Sequence, residues 1–127
     1  MELRDAHCHY QFAEVPYAAV EQARADGVGQ AMINGSAPSD WQDVAALGRR
    51  DPRNRMSFGL HPWDVPTAPE GWAEQLRAML LAHPTAGVGE MGLDRWVKDH
   101  DPVAQEAAFR TQLALAVELD RALTIHC

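Results

Sequence analysis

The chain has 127 residues, 46% of them apolar and 23% charged, which fits one domain with a real hydrophobic core. No apolar run approaches the length of a bilayer span, and Glu2, Arg4 and Asp5 stand where a signal peptide needs apolar residues, so no membrane association and a cytoplasmic location are expected. A formal charge of −7 argues against a protein that grips nucleic acid by neutralising phosphates, but not against an enzyme whose divalent cations reverse the local field.

The first predicted strand, Leu3 to His9, carries the most unusual feature, His7-Cys8-His9. Side chains alternate across a strand, so His7 and His9 share one face, about 7 Å apart along the chain, while Cys8 faces the other way into packing. Two imidazoles so placed can converge on one metal ion. Cys8 and Cys127 are the only cysteines and are expected as reduced thiols.

A helix follows from Pro16 to about Asp26, closed by Gly27, and Gly29–Ile33 reads as the second strand, ending at the turn signal Asn34-Gly35. Ser39-Asp40-Trp41-Gln42 has capping-box spacing and opens a helix that Asp51-Pro52 stops. Arg55–Leu60 is the third strand, followed directly by His61-Pro62-Trp63 and a proline-punctuated loop. Trp72, Leu76, Met79 and Leu80 then mark one face of a helix.

Ala86–Glu90 is the fourth predicted strand, with Met91 to Trp96 as the loop after it. Asp101-Pro102 supplies an N-cap and first-turn proline for the longest helix. Its apolar stripe is expected at Phe109, Leu113, Ala116 and Val117, with Glu106 and Arg110 paired on the polar side. Ala122–His126 is the fifth strand.

Such alternation implies an α/β protein with a parallel sheet and right-handed helical crossovers. Both an open doubly wound sheet and part of a (β/α)8 barrel fit; no glycine-rich phosphate loop follows the first strand, which weakens the dinucleotide-binding version. In either fold the carboxyl edge of the sheet gathers His7, His9, His61, Glu90 and His126, and active sites are built at that edge. Glycines flanking Glu90 let the backbone approach closely, as a carboxylate shared by two metals requires. Three or more imidazoles with a carboxylate suit zinc and other first-row divalent ions, and the carboxylate also suits magnesium or manganese. His83, at a helix end, and His100, in a loop, read as capping or solvated side chains.

Four ordered blocks, Asp5-Ala6-His7-Cys8-His9, Gly59-Leu60-His61-Pro62-Trp63, Gly89-Glu90-Met91-Gly92-Leu93-Asp94 and Phe109-Arg110-Thr111-Gln112-Leu113 leading to Ile125-His126-Cys127, carry a resemblance. The chain resembles the N-terminal part of a TatD-type metal-dependent hydrolase, the deoxyribonuclease branch of the amidohydrolase-like barrels. The resemblance implies a TIM-barrel-type fold of which about five of the eight strands are present. It implies two divalent metal ions (Mg2+, Mn2+ or Zn2+), with His7 and His9 on the first, Glu90 bridging, and His126 on the second. His61 is then expected to orient a substrate phosphate near the reaction centre, and Arg95, beside Asp94, is a further candidate for meeting a phosphate. The implied activity is 3'-5' exonucleolytic hydrolysis of DNA or another phosphodiester by a metal-activated water.

The same resemblance places another metal-binding histidine and a late, proton-handling aspartate in later strands. The 127-residue piece alone is therefore expected to be inactive, with open sheet edges that favour self-association. Two alternatives use the same residues differently: a barrel hydrolase of amide, ester or lactone bonds, and a non-catalytic remnant acting as an interaction module.

Overall fold

The computed structural model describes residues 1–127. Five parallel strands, β1 (Leu3–Cys8), β2 (Val28–Asn34), β3 (Asn54–Phe58), β4 (Gly87–Gly92) and β5 (Leu123–His126), form one sheet in the order β1-β2-β3-β4-β5. Between them run α1 (Tyr17–Ala25), α2 (Trp41–Arg50), α3 (Trp72–Ala82) and α4 (Pro102–Leu119), with a short 3-10 turn at Val65–Thr67. Strand order identical to chain order separates the two architectures that the sequence permits. A doubly wound sheet reverses direction at a switch point, whereas a (β/α) barrel adds each strand beside the last. The fold is accordingly an incomplete barrel, a curled sheet with edges at β1 and β5.

Helices cover one face of the sheet. Ile33, Phe58, Val88 and Met91 point from the strands into a core completed by Trp41, Val44, Leu76, Leu80 and Ala116. Cys8 packs against this core and its thiol donates to the Met32 carbonyl at 3.2 Å, as expected of a side chain facing away from the two histidines. Burial pushes that thiol up to about 12, so it stays protonated and unreactive. The α3 stripe lies where the spacing predicts it, with Leu76 and Leu80 fully buried.

Three expectations are corrected. Strand β4 continues through Gly92, beyond the expected end at Glu90, because Met91 fits the helix-facing core and pairs with Ile125 of β5. The capping box does not form. Asp40 caps no α2 amide and instead accepts from the Ser36 amide at 3.0 Å and the Ser36 hydroxyl at 2.9 Å, bracing the loop after β2. On α4 the buried positions are Gln105, Ala108, Gln112 and Ala116, while Leu113 is half-exposed and Val117 is 76% exposed. The helix turns its polar glutamines inward because two loop backbones behind the sheet's carboxyl edge need hydrogen-bond partners. Asp101 caps α4 as expected, accepting from Val103 and Ala104, and Arg110 pairs with Glu106.

Candidate metal centre

At the carboxyl edge four imidazoles surround one carboxylate. Glu90 Oε2 lies 3.0 Å from His7 Nε2 and 3.2 Å from His9 Nε2. Its other oxygen, Oε1, lies 2.9 Å from His126 Nδ1 and 3.7 Å from His61 Nε2. Two groups of converging donor atoms result, His7–His9–Glu90 and His61–Glu90–His126. They share the carboxylate and border a cavity of about 290 Å3 that Phe12, Ser36, Trp63 and Asp64 complete.

The backbone positions each member. Glu90 is 5% exposed in the wholly buried strand β4, and its amide donates to the Gly35 carbonyl at 2.9 Å. Gly89 before it has φ +143°, and a side chain there would run into the Thr124 carbonyl of β5. Glycine is therefore required for β4 and β5 to approach, and that approach sets Glu90 beside His126. His7 and His9 project from the same side of β1, their Nε2 atoms 3.2 Å apart. His9 Nδ1 donates to the Asn34 carbonyl at 2.8 Å, the usual outer support of a metal-binding imidazole; the neutral ring then keeps its lone pair on Nε2, and the protonated ring donates from Nε2 to Glu90.

His61 is held by the backbone around it. Its amide donates to the Ser36 carbonyl at 2.7 Å, and the Trp63 amide donates to its Nδ1 at 3.1 Å. The neighbouring Leu60 is clamped at both polar atoms by Gln112 of α4, whose Oε1 accepts from the amide at 2.7 Å and whose Nε2 donates to the carbonyl at 3.1 Å. Gln105, two turns earlier on the same face, does the same for Asp94, at 2.9 Å and 3.0 Å. Gln112→Ala would leave two buried backbone groups without partners. We expect a loss of about 2–4 kcal/mol in unfolding free energy, read by urea denaturation; a loss below about 0.5 kcal/mol would contradict the clamp.

Electrostatics follow from this crowding. Burial alone would raise Glu90, but its close contacts with His9 and His126, with the nearby His7 and His61, outweigh it and pull the carboxyl down to about 2. The hydrogen bond to Glu90 raises His9 above the usual imidazole value, whereas burial lowers His61. The centre thus combines an ionised carboxylate with imidazoles, a donor set suited to borderline divalent metals. Its geometry fits a metal: the His7, His9 and Glu90 donor atoms lie within 4.8 Å of one another, as do those of His61, Glu90 and His126.

The sequence-predicted residues His7, His9, His61, Glu90 and His126 come together here. Arg95 does not; it is exposed and borders a separate cleft with His100 and Glu106, on the far side of Asp94. His100 is exposed, and His83 sits at the C-cap of α3 with its ring 5.3 Å from Phe58. Reading the sequence understates Asp94, which is 8% exposed and places Oδ2 at 3.1 Å from His126 Nε2 and 2.7 Å from the Trp63 indole nitrogen. These bonds, with the Trp96 amide, hold the Asp94 carboxyl down at about 2, the Trp63 bond being the strongest influence. The available signal is its place at the end of the Gly-Leu-Asp run, just past a strand that carries a central carboxylate.

Comparison with known proteins agrees with this geometry. The family model described as TatD related DNase matches residues 4–127. The 3'-5' ssDNA/RNA exonuclease TatD of Enterobacter lignolyticus is 33% identical over 117 residues, 92% of this chain and 45% of that protein. Its counterpart in Salmonella typhimurium is 31% identical over 92% of this chain and 45% of its own length. The crystal structure of YJJV, a TatD homolog from Escherichia coli k12, superposes with a TM-score of 0.90 at 28% identity, covering 97% of this chain and 49% of that one. The chain thus spans about half the length of the relatives it matches. With a family model matched over nearly every residue, and a barrel-type sheet that brings the His-x-His pair, Glu90 and His126 to one edge, the chain belongs to the TatD-related DNase family.

Proposed function

We propose that this chain is the metal-binding half of a two-metal hydrolase that shortens single-stranded DNA or RNA from the 3' end. The observation that carries the proposal is Glu90, one ionised carboxylate with an oxygen turned to each of two histidine groups. The exonuclease names of the relatives point the same way. His7, His9 and Glu90 would hold one ion, and Glu90 with His126 would hold part of the coordination of a second; Mg2+, Mn2+ and Zn2+ all suit these donors. When bound, such ions supply a water acidified for attack and positive charge for the phosphoryl oxygens.

The protein's own share is binding and orientation. Glu90 keeps the two histidine groups at fixed separation, because its backbone is pinned to Gly35 and its strand is buried throughout. His61, at the cavity wall and anchored through both its amide and Nδ1, turns Nε2 inward, where it can donate to a phosphate oxygen. Exposed Phe12 and Trp63 at the same wall offer aromatic surface to unstacked bases, which suits a single strand better than a duplex.

The test is digestion of a 5'-labelled single-stranded DNA by the complete hydrolase of which this chain forms half, with Mg2+, Mn2+ or Zn2+, alongside aminoacyl and lactone substrates. The expected result is stepwise shortening from the 3' end, stopped by EDTA and reduced at least about a hundredfold by His7→Ala. Turnover of an ester or lactone without DNA cleavage would replace the reading with the other barrel-hydrolase chemistry. Unchanged DNA cleavage by His7→Ala would remove the metal assignment.

A further inference from the structure

Trp63 touches the centre twice. Its backbone amide donates to His61 Nδ1 at 3.1 Å, and its indole N–H donates to Asp94 Oδ2 at 2.7 Å. Between those ends the chain of contacts closes: His61 Nε2 lies 3.2 Å from His126 Nδ1, and His126 Nε2 lies 3.1 Å from Asp94 Oδ2. Four residues therefore form one hydrogen-bonded ring.

A nitrogen that accepts a hydrogen bond carries no proton, and this rule gives the direction of the ring. His61 Nδ1 accepts from a backbone amide, so the ring proton of neutral His61 sits on Nε2, directed at His126 Nδ1 beside the cavity. Asp94, whose Oδ1 accepts from the Trp96 amide at 2.7 Å, offers only acceptors, so His126 Nε2 must be the donor between them. His126 Nδ1 is then the atom left to face Glu90 Oε1, 2.9 Å away. A lone pair and a carboxylate oxygen at that distance attract a shared cation.

We infer that Trp63 and Asp94 are positioning residues that fix the proton positions of both histidines, so that His126 keeps a lone pair on Nδ1 for a metal, and His61 keeps on Nε2 a proton that turns to the substrate once a metal takes that lone pair. The ring assigns different duties to two imidazoles with almost the same surroundings. His61 closes one of the two donor groups only by distance; its proton makes it a hydrogen-bond donor and leaves His126 as the second-metal ligand. Gln105 fixes the Asp94 backbone and so gives the ring a rigid base. An aspartate that orients a metal-binding histidine in this manner typically supports about 10- to 100-fold in metal affinity. The inference rests on the metal reading proposed above, but not on any particular substrate.

The test is nitrogen-15 NMR of histidine-labelled protein, metal-free and loaded with Zn2+, together with Zn2+ titration against a chelating dye. In both states His126 Nε2 and His61 Nε2 are expected to carry protons, and His61 Nδ1 to carry none. Asp94→Asn cannot accept both from Trp96 and from the Trp63–His126 pair. It is expected to move the His126 proton to Nδ1 and to weaken Zn2+ binding about 10- to 100-fold. Trp63→Phe keeps the backbone amide and loses the indole N–H; it should leave the His61 pattern intact and weaken Zn2+ binding by less than Asp94→Asn does.

A zinc-loaded protein with His126 protonated on Nδ1, or an Asp94→Asn variant that binds Zn2+ within about twofold of the parent, overturns the inference. If Asp94→Asn fails to fold, the parent spectra and Trp63→Phe decide it. Correct proton positions with no DNA cleavage would leave the ring in place and remove the nuclease reading instead.

Discussion

Glu90→Gln in the complete hydrolase is expected to cost at least about a thousandfold in DNA cleavage and to strip the protein of stoichiometric metal. The substitution is nearly isosteric, so the loss cannot be put down to a cavity. Glu90 contacts imidazoles through both oxygens, at 3.0 Å and 3.2 Å on one side and 2.9 Å on the other. A glutamine keeps one oxygen, carries no charge and brings an amide N–H2 against one of the two histidine groups. Metal content by elemental analysis and a single-strand cleavage assay measure the two effects. Retention of both metal and activity would end the claim that this carboxylate is shared.

The same variant separates electrostatics from packing. With its carboxyl pulled from the ordinary 4.5 down to about 2, Glu90 stabilises the metal-free protein fully above about pH 4.5. That stabilisation is lost as the pH falls towards about 2. Urea unfolding at a series of acid pH values should show this limb in the parent and its reduction in Glu90→Gln. Metal binding has the opposite competitor: His9 is raised by Glu90, so affinity should increase as the pH rises through the histidine range and that proton leaves.

Gly89→Ala is expected to be the most damaging single methyl group in the chain, lowering unfolding free energy by about 4 kcal/mol. Gly89 lies at φ +143°, where side-chain-bearing residues are strained, and the added carbon would overlap the Thr124 carbonyl and lie 2.9 Å from its Cβ. The backbone can relieve this only by moving β5 away from β4. That movement would also carry His126 from Glu90, so metal affinity should fall together with stability. Denaturant titration and Zn2+ binding on the same preparation test the pair. An alanine variant with unchanged stability would show that the close approach of the two strands is not required.

Local chemistry made much of this protein legible. The His-x-His spacing places both imidazoles on one strand face with Cys8 opposite, because side-chain direction alternates with every residue, whatever the fold. Asp101-Pro102 starts α4, and Leu76 and Leu80 line the inner face of α3, for equally local reasons. Alternating strand and helix patterns establish the α/β class, and the carboxyl-edge rule gathers the histidines and Glu90 at one edge.

Tertiary structure decided what depended on partners distant in sequence. The inward face of α4 could not be read from hydrophobicity, because Gln105 and Gln112 are buried to satisfy the backbone of Asp94 and Leu60. The helix starts one residue later than the Ser39–Gln42 box implies, with Asp40 at the N-cap and its carboxylate turned to the Ser36 loop instead of to the helix. Barrel-type strand order, rather than a doubly wound one, emerged only from pairing between strands. Within the candidate metal centre, the sequence singled out the histidines and Glu90 that come together, but only the fold joined Trp63 and Asp94 to His61 and His126 in one ring. Residue type sets which atoms can bind a metal, whereas the direction of each proton depends on neighbours supplied by other strands.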